Sequence, residues 1–244
     1  EMFLSFGAGA VVGFLAVVKS GNQKLSDIFE FLAASLVMLI CYLYYFEVEQ
    51  FNYQIVLISS LIVIIPGLNL TIAMNELATN NLVSGTARLM GTLMTFFKIA
   101  FGILVASEVG KEFYPMFEII PANALPFWSI VPSLILACMA FTVIFQAKYK
   151  DFIWILLSGV TTIGTLTLTG EYFSQILAIF LTSFTIGVVS NLIAKKRNKP
   201  AAVTLLPGII FIVPGSVGMK GINLIFQNDY IAGLSGGFQS IVLT

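Results

Sequence analysis

Apolar stretches of about twenty residues, separated by short polar connectors, follow one another through all 244 residues of this chain. A run of that length is what a helix needs to cross the roughly 30 Å hydrocarbon core of a bilayer. No water is present there to satisfy backbone amides and carbonyls, so a spanning segment must be a helix or part of a closed barrel. Runs this long and continuous are helical. We therefore expect an all-α integral membrane protein with nine transmembrane helices, at residues 1–18, 26–46, 53–78, 83–108, 125–146, 151–169, 172–194, 201–226 and 230–244. With 58% hydrophobic and only 10% charged residues, and a mean hydropathy of +0.98, the chain lies far from the range of soluble domains.

Twelve basic and twelve acidic residues cancel, so there is no electrostatic basis for a nucleic-acid partner. The chain has no histidine, and Cys41 and Cys138 stand singly in apolar segments. No metal site, redox centre, cofactor or enzymatic activity is expected from such a set. Residues 1–18 lack the basic start and small-residue cleavage site of a signal peptide. Glu1 opens directly onto an apolar run and Thr244 closes one without a polar stop, which is expected of a piece trimmed from a longer protein.

Where the charges fall is informative. Lys19, Lys24, Lys148, Lys150, Lys195, Lys196, Arg197 and Lys199 all lie in the odd-numbered connections, whereas the even-numbered ones hold Lys111 alone. The positive-inside rule makes the odd connections cytoplasmic, so residue 1 starts on the outer side. Tyr42, Tyr44, Tyr45, Trp128, Trp154 and Tyr172 fall near span ends, where amphipathic rings prefer the headgroups. This count takes 109–124, with Pro115 and Pro121, as an external loop rather than a re-entrant segment.

Within this frame Pro66-Gly67 and Pro214-Gly215 each interrupt a long apolar stretch, and the offset of 148 that relates them also superposes Asn80 on Asn228 and Gly85 on Gly233. The chain reads as two transmembrane halves, residues 1–120 and 121–244. The helix of Pro214 lies five spans on from that of Pro66, an odd number, so the repeat is inverted. A proline inside a helix removes one hydrogen bond and clashes one turn back, at a cost of about 3 kcal/mol. Such a break is tolerated at membrane depth only where protein or a water-filled cavity satisfies the freed groups, and paired breaks point to a transporter's solute site.

Pro66 frees the carbonyl of Ile62, Pro214 that of Ile210, and Pro207 interrupts at Val203. The helices that resume beyond the breaks offer unpaired amides and a positive dipole end, suited to a carboxylate. The bland alternative is a pair of packing kinks held by neighbouring helices. Asn69, Thr71 and Asn75 stand near the first break, Ser216 and Lys220 near the second, a set suited to a small zwitterionic or anionic solute. Lys220 either binds the solute carboxylate or snorkels to the outer interface. Lys98, about halfway along its span, either braces the bundle or touches solute. Glu76 and Arg88 form an interfacial ion pair or, in the sharper reading, Glu76 is a gate or proton acceptor. Glu30, Glu108 and Glu171 lie near predicted span ends and are set aside for coupling. Gly233-Leu234-Ser235-Gly236-Gly237 matches the G-x-S-x-G pattern but has no histidine to serve it. Those glycines, with Gly9 and Gly13, suit close helix packing instead.

The run IPGLNLTIAMNELATNNLVSGTARL at 65–89, together with Lys199-Pro200 and LLPGIIFIVPG at 205–215, resembles the hallmark segments of the threonine/serine exporter family. The resemblance implies ten spans preceded by a soluble cytoplasmic segment, so the first helix of that fold would be missing here. It implies export of threonine and serine across a bacterial inner membrane, driven by the proton motive force. The family also includes a split two-subunit form acting on succinate, which keeps a dicarboxylate exporter open as the alternative, alongside a passive channel or membrane scaffold. Matched motif positions carry over to Pro66, Gly67, Thr71, Glu76, Ser84, Gly85, Arg88, Pro207, Pro214 and Gly215. The expected partners are the solute, protons and membrane lipid, with a homo-oligomer left open.

Overall fold

In the computed structural model the described residues are 2–19, 21, 23–47, 51–113, 126–197 and 200–212, and every regular element among them is helical. They divide into two compact units, residues 2–113 and 126–212.

The first unit holds α1 (Met2–Lys19), α2 (Gln23–Glu47), α3 (Tyr53–Leu61), α4 (Gly67–Ala78) and α5 (Leu82–Phe113). α1, α2 and α3 pack against one another, α2 also lies along α5, and α4 packs on α5. Apolar residues three and four apart make the seam: Ala34, Val37, Met38 and Cys41 on α2 meet Phe96, Ile99, Ala100 and Ile103 on α5. Glycine sets the closeness of this pair. A Cβ on Gly102 would stand 2.5 Å from the Phe31 carbonyl oxygen, and one on Gly110 would stand 2.5 Å from the Tyr42 ring. These contacts advance together along both chains, so α2 and α5 run parallel. α3 and α4 lie between the two in the chain, over the stretch where a single span is expected at 53–78.

The second unit begins with a short turn of helix at Phe127–Ser129 and continues with α6 (Ile130–Ile144), a second short turn at Tyr149–Asp151, α7 (Phe152–Gly170), α8 (Gln175–Arg197) and α9 (Ala202–Ile212). α7 is central, touching α6, α8 and α9, and α8 also packs on α9. The seam here is made of hydroxyls and glycines. Ser158, Thr162, Thr182, Ser190 and Thr204 are all buried. The Ser158 hydroxyl donates to the Thr204 carbonyl across the helices at 2.6 Å. Gly208 lies under Ser158 and Ile186, and Gly159 under Leu134, Cys138 and Phe211.

The 148-residue offset carries α1 to 150–167, α2 to 171–195 and α3 to 201–209, close to α7, α8 and α9. In both trios all three helices touch one another.

Several expectations are amended. α9 runs through Pro207 rather than breaking there. The proline still removes the bond to Val203, while the adjacent Thr204 carbonyl receives the Ser158 hydroxyl. Gly9 and Gly13 have nothing within 4 Å of a Cβ among the described residues, so the close approaches fall at other glycines. α5 extends to Phe113, beyond the predicted 108, and α6 is shorter than its predicted span. Among the described residues five helical segments are long and apolar enough to cross a membrane: Met2–Lys19, Gln23–Tyr45, Leu82–Phe113, Tyr149–Gly170 and Gln175–Arg197. The segments at 213–226 and 230–244 lie outside the described residues, as do Pro214, Gly215, Ser216 and Lys220.

Candidate functional site at a broken helix

α3 stops at Leu61 because residue 66 has no amide to give to Ile62. The Ile64 and Ile65 amides both turn back onto the Leu61 carbonyl, at 2.9 and 3.1 Å, and the Gly67 amide reaches Ile65 at 2.8 Å. The carbonyls of Ile62, Val63 and Ile64 then accept no backbone hydrogen bond among the described residues. α4 resumes at Gly67, with the Leu70 amide bonded to the Pro66 carbonyl at 3.1 Å. Ahead of it the amides of Leu68 and Asn69 have no backbone acceptor among the described residues. Unpaired acceptors before Pro66 are therefore followed within a few residues by unpaired donors after it, groups chemically able to hydrogen-bond the two ends of a zwitterion. Pro66 and Gly67 are buried, whereas Ile62, Val63 and Asn69 are exposed. The Thr71 hydroxyl lies 3.4 Å from the Gly67 carbonyl, a long contact that leaves it able to turn to a ligand.

Twelve residues further on, α4 ends in a tightly specified hairpin. Asn80 takes a left-handed conformation at φ 63°, its amide bonds the Leu77 carbonyl at 3.1 Å and the Asn81 amide bonds that of Glu76 at 2.8 Å. This is the six-to-one and five-to-two pairing that closes helix ends, with asparagine in the place glycine often takes. Gly85 allows α5 to press on α4: a Cβ there would lie 2.8 Å from Leu77 Cγ. The two helices are then clasped by side chains. Glu76 Oε1 accepts from Arg88 Nη2 at 3.0 Å and Nε at 3.2 Å, and Oε2 accepts from Ser84 Oγ at 2.7 Å. Both carboxylate oxygens are engaged, one by Arg88 and the other by Ser84, so the side chain is fixed from both sides.

Ser84, Gly85 and Arg88 thus act on a single partner helix, and they belong to the same sequence run as the break. Two threonine/serine exporter models match the chain, one over residues 1–110 and the other over 131–244. The chain belongs to the threonine/serine exporter family. Similar curated proteins are fungal. Pheromone-regulated membrane protein 10 of Eremothecium gossypii is 25% identical over 247 residues, covering 90% of this chain and 30% of that protein. Its namesake in Candida albicans is 28% identical over 241 residues, covering 90% of the chain and 21% of that protein. The exporter-family chain therefore spans less than a third of the length of these relatives. No solved structure matches it.

In this exporter-family chain Lys98 is engaged as a brace. Its Nζ donates to the Asp27 carbonyl at 2.8 Å and lies 3.5 Å from Glu30 Oε2. The other oxygen of Glu30 lies 3.6 Å from Lys19 Nζ, which also sits 4.3 Å from the centre of the Phe29 ring. One carboxylate on α2 thereby ties α1 and α5 together. Sequence reasoning passed over Glu30, and the two lysines one and several helices away gave no local signal of it. An intramembrane acid usually has a named basic partner, and searching for one opposite Lys98 would have been the way to find it. In the second unit, Pro207 is buried in the α7–α9 seam. A cavity of 390 Å³ lies at the far end of α9, bounded by Leu166, Gly170, Gln175, Ala178 and Phe211. Its lining among the described residues is mainly apolar and holds no charged group.

Proposed function

We propose that the chain is the membrane-spanning part of a secondary carrier that exports threonine and serine from the cytoplasm, powered by the proton motive force, through a cell (plasma) membrane. The observation that carries this reading is the break between α3 and α4, where the carbonyls of Ile62–Ile64 and the amides of Leu68 and Asn69 have no backbone partner among the described residues. The amides suit a solute carboxylate, the carbonyls its ammonium group, and Asn69 and Thr71 its hydroxyl. A helix end of this kind contributes about 0.3–2 kcal/mol toward an anion. The 148-residue offset gives Pro214 and Gly215 the corresponding role in the other half, with Ser216 and Lys220 beside them as further polar contacts for the solute. Glu76, Ser84, Gly85 and Arg88 form the gate, a clasp that must open or move as a unit when the α4–α5 hairpin shifts.

Charge placement supports an inverted repeat and alternating access. In the first trio Lys19 and Lys24 stand at the turn between its first two helices. In the second trio Lys150 and Lys195–Arg197 stand at the opposite end. If both sets face the cytoplasm, the trios cross the membrane in opposite senses.

A dicarboxylate such as succinate would need two free cations. Arg88 and Lys98, the candidates within the described residues, already hold Glu76 and Glu30, which favours a solute with one carboxylate. The deciding experiment is counterflow of labelled threonine in proteoliposomes, with serine and succinate as competitors and an imposed proton gradient. Saturable exchange, inhibited by serine and driven by the gradient, is expected. Exchange of succinate instead would move the function to dicarboxylates. Flux that never saturates would make the protein a channel, and no flux of either solute would sink the carrier reading.

A further inference from the structure

Cations in the two units are treated differently. In the first unit Lys19, Arg88, Lys98 and Lys111 each have a carboxylate within 3.6 Å. In the second, Lys148, Lys150, Lys195, Lys196 and Arg197 have no ion-pair partner among the described residues, and all five are exposed. They gather at one end, where α7 begins and α8 finishes, as the Arg197 guanidinium 5.4 Å from the centre of the Trp154 ring requires. Asp151, the acidic residue described at that end, is buried. Glu171 lies at the other end of α7.

The surroundings are those of a membrane interface. Tyr149 is 80% exposed beside Lys150, whose Nζ lies 5.7 Å from the ring centre. One or two turns deeper, Ile153, Leu157, Val188 and Leu192 present exposed apolar side chains on the same two helices. Amphipathic rings, an apolar strip and unneutralised cations occur in the order in which a phospholipid presents its glycerol region, acyl chains and phosphate.

We propose that this end of the second unit is a binding surface for anionic phospholipid headgroups, with Arg197, Lys195 and Lys196 taking the phosphate and Trp154 and Tyr149 the interfacial region. Arg197 is held in place by its ring, so its fork is pre-positioned for a phosphate rather than dispersed in solvent. The surface acts independently of which solute the carrier moves.

The test uses Trp154 as its own reporter. The chain has two tryptophans, so Trp128→Phe leaves Trp154 alone. The full-length protein is reconstituted into phosphatidylcholine vesicles containing equal mole fractions of brominated phosphatidylglycerol or brominated phosphatidylcholine, and quenching of fluorescence is compared. The expected result is at least about fivefold stronger association of the anionic lipid, the factor a single basic residue supplies near an anionic surface. K195Q/K196Q/R197Q should bring the ratio close to one, and K148Q/K150Q should lower it by less. Equal quenching by the two lipids in the Trp128→Phe protein overturns the proposal, as does a preference that survives in both sets of variants. Anionic lipid co-purifying with the unmodified protein but not with K195Q/K196Q/R197Q provides an independent readout.

Discussion

The two helix trios, α1–α3 and α7–α9, have the same pattern of packing but are joined by different chemistry. The first buries aliphatic side chains such as Ala33, Val37, Val56 and Leu61. The second buries Ser158, Thr162, Thr182 and Thr204 and relies on Gly208 for close approach. Lipid is as apolar as leucine, so aliphatic side chains gain little from leaving it, and helices in a bilayer associate through shape and polar contacts. Both trios add hydroxyl bonds between helices, Ser60 to the Ser5 carbonyl in the first and Ser158 to the Thr204 carbonyl in the second, but the second also depends on the close approach at Gly208. A similar set of helix contacts is thus supported by a different mix of residues in each unit.

The broken helix of the first half offers the severest test of what that difference means. Gly67→Leu should abolish threonine counterflow while leaving the protein inserted and monodisperse; retained transport would sink the solute site at the break. Next in size is a swap between the trios. The offset pairs Gly208 with Ser60, which is buried and whose hydroxyl reaches the Ser5 carbonyl at 3.3 Å. Gly208→Ser puts a side chain where a Cβ alone would stand 2.5 Å from Ser158 Oγ, and should destabilise by about 1–3 kcal/mol in a thermal melt in detergent. Ser60→Gly should change the melt far less, and equal effects would mean that the trios are equally close-packed.

Smaller effects sharpen the picture. Arg88→Met should slow flux several-fold, and Glu76→Gln/Arg88→Met should recover part of the loss; if the double variant is as slow as the sum of the singles, the clasp is not a unit. Ser158→Ala should cost about 0.6 kcal/mol, the average for hydrogen bonds between membrane helices, read as a small drop in melting temperature. Smallest of all is Ser190→Ala. Its hydroxyl is buried without a partner among the described residues, so removal should leave stability unchanged or slightly raised. A marked loss would reveal a contact that the hydroxyl makes.

What could be read from the sequence was mostly local. Pro66-Gly67 announces its break because the lost hydrogen bond depends on proline itself, and Glu76, Ser84 and Arg88 meet because a short hairpin brings positions 8 and 12 residues apart together. Pro207 was harder, since a helix survives a proline when a neighbour packs and bonds around it, and Ser158 lies 46 residues from the carbonyl it serves. Likewise Glu30 and Lys98 are 68 residues apart, and only the parallel course of α2 and α5 places them side by side. Glycines are ambiguous for the same reason: Gly9 and Gly102 look alike until a partner helix is known.

α5 also acts as a gauge of the bilayer. Its 32 residues extend to about 48 Å, and even at a 40° lean they would rise roughly 37 Å through a hydrocarbon slab of about 30 Å. At least one helical turn must stand among the headgroups, so the thickness of the surrounding membrane decides how much of this helix is wet. If the α4–α5 hairpin moves as proposed, acyl-chain length is a mechanical input to it, and vesicles of shorter or longer lipids would tune transport without altering a single residue.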